Sequence, residues 1–71
     1  MAELGHEVDA ITYQEPGTSE ACWIGVRLVA ERVLLSISRK SDGDLEVAMS
    51  ELVARRLVMA LNSALELARN Q

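Results

Sequence analysis

Phenylalanine is absent from this 71-residue chain, and tryptophan, tyrosine, histidine, cysteine and proline each occur once. Each scarcity excludes something. The lone Cys22 cannot close an internal disulfide, and Cys22 with His6 is too small a ligand set for a metal cage. One Trp and one Tyr cannot build the aromatic platform on which single-stranded bases stack. Four scattered glycines make no phosphate-cradling loop. No uncharged apolar run reaches the ~18 residues of a membrane span. The start, Met1 to Glu7, has neither the basic nor the apolar segment of a secretory signal, so the simplest address is a reducing cytoplasm. The length suits one domain.

Basic residues are also missing from the first 21 positions, which hold Glu3, Glu7, Asp9, Glu15 and Glu20. All seven Lys and Arg lie in residues 22–71 beside six acids, so the net charge of −4 belongs to the N-terminal part. Residues 1–21 therefore read as an acidic arm and loop, partly mobile or forming a weak edge strand over Glu7–Tyr13. Residues 1–6 look frayed, and Pro16-Gly17-Thr18-Ser19 marks a turn.

From Cys22 the pattern sharpens. Cys22, Ile24, Val26 and Leu28 alternate with Trp23, Gly25, Arg27 and Val29. Val33, Leu35 and Ile37 alternate with Leu34, Ser36 and Ser38, and Leu45, Val47 and Met49 with Asp44, Glu46 and Ala48. Period two in three successive runs predicts a half-buried antiparallel meander. Asp42-Gly43 is a hairpin signal through the positive φ that glycine permits. Ala30-Glu31-Arg32 lacks such a residue, so the strands there turn without glycine or run on through a bulge. Ser50 then caps a helix over 51–69 that contains neither Gly nor Pro. Glu51, Arg55, Asn62, Glu66 and Arg69 share one side of it. The apolar residues fill about half the circumference, more than one contact requires. Leu52 and Met59 lie apart, beside the polar face. The expected fold is α+β: a three-stranded meander, with a possible fourth N-terminal edge strand, covered by one long C-terminal helix in a 22–71 core.

Surplus apolar surface makes self-association the structural expectation. Ala60, Ala64 and Ala68 form a ridge that admits a close helix, flanked by Leu57, Leu61 and Leu65, and a homodimer or higher oligomer would meet there. Trp23 falls on the opposite sheet face with Arg27, Val29 and Leu34. There it is either covered by the N-terminal segment through Ile11 or Tyr13, or exposed as an anchor for a protein partner. Cys22 shares the core parity, with no His, Lys or Arg expected beside it on its own face, and reads as an inert buried thiol. His6 reads as a solvated histidine in the arm. Asp42 and Asp44 are turn residues, because the remaining oxygens of a calcium loop are absent.

A meander followed by a capped helix is similar, in element order, to the single-strand-binding transcription coactivators. That resemblance implies a nucleic-acid surface, for which Arg27, Arg39, Lys40, Arg55 and Arg56 are the candidates. The chain departs from that family in lacking its basic strand surface and stacking aromatics, and its acidic total opposes phosphate binding. The style over residues 22–69 is also that of short bacterial and phage reading frames. The leading expectation is a small oligomeric regulator or inhibitor that binds a protein partner, with no catalytic residues, no cofactor, no metal and no membrane. The alternatives are a nucleic-acid-binding module and a ligand carrier or minor enzyme with a pocket between subunits.

Overall fold

The structure, a computed structural model, describes residues 5–71. The expectation of a frayed start falls, for residues 1–4, outside the described residues. Four strands, β1 (His6–Gln14), β2 (Ala21–Val29), β3 (Arg32–Arg39) and β4 (Gly43–Met49), form one antiparallel meander in the order β1-β2-β3-β4. Helix α1 (Glu51–Arg69) follows after the single residue Ser50. The fold is thus the expected α+β arrangement, with the N-terminal strand at one edge. His6, read as part of an arm, is instead the first residue of β1, opposite Leu28.

Register explains the two faces. Across the sheet, Ile11, Ile24, Ile37 and Leu45 stand in one row, and Leu28, Val33 and Met49 in another. These point to the near face, on which α1 lies. Alternate rows, such as Thr12-Trp23-Ser38-Asp44 and Ala10-Gly25-Ser36-Glu46, point to the far face. A bulge between Glu7 and Asp9 brings Ile11 into phase with the near face.

The turns differ from the sequence expectation in instructive ways. Val29 pairs with Arg32, so Ala30-Glu31 is a two-residue hairpin loop, and no bulge occurs there. Ala30 takes φ 56°, the left-handed region that such a turn demands even without glycine. The β3–β4 loop is three residues long: Asp42 N–H donates to Arg39 C=O at 3.0 Å, and Gly43 follows at φ 81°. Glycine is required there, as read, but directly after a three-residue turn rather than within a two-residue one.

Ser50 accepts the Val53 N–H through its hydroxyl at 3.3 Å, fixing the helix start. Glu51 in the first turn and Arg69 in the last oppose the helix dipole favourably. The helix approaches the backbone of β3 and β4 and of no other strand. None of its residues is buried. The expected closed core is therefore incomplete. Cys22, 7% exposed, is the one buried apolar residue among those described.

Candidate functional site

The sheet and helix enclose an apolar groove of about 310 Å³. Its floor is Ile11, Ile24, Val26, Val33, Leu35 and Met49, and its wall is Ala54, Leu57, Val58 and Leu61. Alternation supplies the floor and the i, i+3, i+4, i+7 spacing supplies the wall, so no residue had to be placed against its local preference. Beyond the groove the apolar surface continues. Leu45 is 62% exposed on the sheet, and Leu65 is 64% exposed on the helix. Of the residues expected at an oligomer interface, Leu57 and Leu61 line the groove. Ala60, Ala64, Leu65 and Ala68 lie exposed on the helix.

The far face is satisfied from within the chain. Trp23 is half-buried because its ring lies across Gly25, where a Cβ would stand 2.3 Å from the indole. Arg27 pairs with Glu46 at 3.2 Å, and the same carboxylate accepts the Ser36 hydroxyl at 2.9 Å. The reading in which Ile11 or Tyr13 folds over Trp23 is corrected. β1 adds edge to edge, so Ile11 and Tyr13 stand on the near face and Thr12 is the neighbour of Trp23. Val29 and Leu34 share the Trp23 face, as their parity required. Gly5 abuts Val29 closely, with no room there for a Cβ.

At the loop end, Arg39 gathers three carboxylates. Its guanidinium lies 2.9 Å from Glu15, 3.0 Å from Glu20 and 2.6 Å from Asp42. The Glu20 contact, made through Nε, is off the line of a hydrogen bond. Glu20 instead accepts the Ser41 backbone N–H at 2.7 Å. That hydrogen bond, aided by the Arg39 charge, holds the Glu20 carboxyl below its ordinary range, while Glu15 and then Glu20 raise the Arg39 guanidinium. Together these bonds tie the β1–β2 loop to the β3–β4 turn. They also overturn one expectation: Arg39 sits directly across from Cys22, on the same face. Its charge is engaged by carboxylates, and the Cys22 thiol donates to the Glu20 carbonyl at 3.6 Å. Tyr13, on the other side of Cys22, has its phenol pushed up by burial and by the neighbouring thiol.

The basic candidates do not converge. Arg27 is mid-strand on the far face, Arg39 and Lys40 are at the loop end, and Arg55 and Arg56 are on the helix. Arg55 pairs with Glu51 at 2.6 Å. Among the described residues no three His, Cys, Asp or Glu side chains group as metal ligands, and no helix is long and apolar enough to cross a membrane. The sequence matches no protein-family model, no curated protein and no solved structure. The feature that sequence reasoning missed is the groove itself. Its wall and floor were both legible, but the distance between them depends on how the helix leaves Ser50.

Proposed function

We propose that this protein is a small self-associating interaction module, a cytoplasmic regulator or inhibitor that binds a protein partner and blocks part of its surface. The observation that carries this reading is the open near face. An apolar floor, an apolar helix wall and the exposed residues beyond them form a continuous surface of the kind that marks association. Binding chemistry, rather than bond-making, is what such a surface provides. Once the near face is covered by self-association, the far face with Trp23, Arg27, Val29 and Leu34 is the surface left for a protein partner.

Nucleic-acid binding is the weaker reading, because Arg27, Arg39 and Arg55 are each held by carboxylates of the same chain. Sedimentation of the purified protein tests the proposal. An oligomer is expected at micromolar concentration, and a monomer at high micromolar concentration would refute it. Retention on a polynucleotide that weakens steeply with salt would favour the nucleic-acid reading instead.

A further inference from the structure

We infer that the near face is completed by helix α1 of a second copy, which lies alongside the first helix on the same sheet in a two-fold dimer. This rests on the self-associating reading and names its occupant. Four strands about 4.8 Å apart make a sheet about 19 Å wide, and packed helices lie 8–10 Å apart. The near face therefore has room for two helices, and the chain brings one.

Area and size agree with a second copy as the other. A compact protein of 7.8 kDa exposes about 4,400 Å². This chain exposes 6083 Å², about 1,700 Å² more. Covering that excess on two chains buries about 3,400 Å², within the range of obligate dimers. The radius of gyration is 14.2 Å, against about 11 Å for a compact chain of this length. A compact body of twice the length has a radius of about 14.5 Å, so one chain is already about as extended as a compact pair.

The helix suits this position. Its apolar arc extends past the groove-lining Ala54, Leu57, Val58 and Leu61 to Val53, Ala60, Ala64 and Leu67, all exposed. In this arrangement the two-fold axis exchanges both the helices and the sheets, so it runs along the helices and sets them parallel. Each helix then has its own sheet, a neighbouring helix and a second sheet to meet, which accounts for an apolar half-circumference.

Disulfide trapping tests the arrangement in a Cys22→Ser background. Chains carrying Ile11→Cys or Leu45→Cys, at the two edges of the near face, are mixed with chains carrying Leu61→Cys or Leu65→Cys. Each chain then has one thiol, so every disulfide joins two chains. At least one of the four mixtures is expected to give a covalent dimer within minutes of mild oxidation. Thr12→Cys and Asp44→Cys, one residue away on the far face, should give none. Scattering from the unmodified protein adds a readout free of substitution: two chains of radius 14.2 Å with centres about 14 Å apart give a dimer radius of about 16 Å. A monomer by sedimentation would overturn both this inference and the self-associating reading. A dimer with a radius of about 20 Å or more, or cross-links from the far-face positions alone, would overturn this inference and leave self-association standing.

Discussion

The two faces of the sheet come from the same four strands and have opposite fates. On the far face Trp23 covers Gly25, and Glu46 serves both Arg27 and Ser36. On the near face the row Ile11, Ile24, Ile37 and Leu45 is apolar from edge to edge, and the helix leaves it partly open. A polar face can close on itself, because hydrogen bonds and ion pairs form between neighbouring strands. An apolar face needs a second layer, and one helix is too narrow to supply it. The difference leaves the near face as the one still open to cover.

The strongest way to break this comparison is to place one charge on either face at adjacent positions. Leu35→Asp puts a carboxylate in the groove floor and should cost about 3–5 kcal/mol, because an unpaired charge cannot follow that surface into a covered state. Leu34→Asp, across from Arg27 on the far face, should cost about 1 kcal/mol or less. Urea melts of the two variants measure the contrast, and equal losses would mean that the near face gains nothing from cover.

Gly25→Ala sharpens the account of the far face. The added methyl collides with the indole, so Trp23 has to swing off the strand, at a cost of about 1–3 kcal/mol and with red-shifted emission. Unchanged fluorescence would show that the ring does not depend on the missing side chain.

Acid probes the loop end, where Arg39 and Glu20 tie two turns together. The Glu20 carboxyl is held below its ordinary range, so its stabilising contribution is complete above about pH 4.3 and is lost as pH falls through the lower folded value. The urea midpoint should therefore drop in acid, and Glu20→Gln should be weaker than the parent at neutral pH but converge with it in acid. The smallest effect is expected at Ala30, whose φ of 56° is unfavourable for any residue with a Cβ. Ala30→Gly should raise stability by less than about 1 kcal/mol.

Strands β2, β3 and β4, their faces and the helix were legible because period two gives way to a helical repeat at Ser50; the faces of β1 were not, because its alternation is mixed and a bulge between Glu7 and Asp9 resets its phase. The surplus of apolar helix surface was legible from the helical repeat. The neighbours of Cys22 were not. Arg39 is 17 positions away in sequence, and its place opposite the thiol is set by a two-residue turn whose left-handed residue is alanine. Trp23 shows a similar limit. Parity gave its face, but its cover comes from the absence of a side chain at Gly25, two residues along the same strand.

The bulge at the start of β1 bears on what the protein does not become. Glu7 and Asp9 flank it on one open edge of the sheet, and Asp44 and Glu46 lie on the other. The Asp9 carboxylate also accepts the Ala10 backbone N–H at 2.8 Å, occupying a donor that an incoming strand would use. Another sheet docking edge-on would meet a kinked backbone at the β1 edge and acidic side chains at both edges. Growth by strand addition is thereby discouraged at both ends, so the apolar near face, not the sheet edges, is the surface open to association.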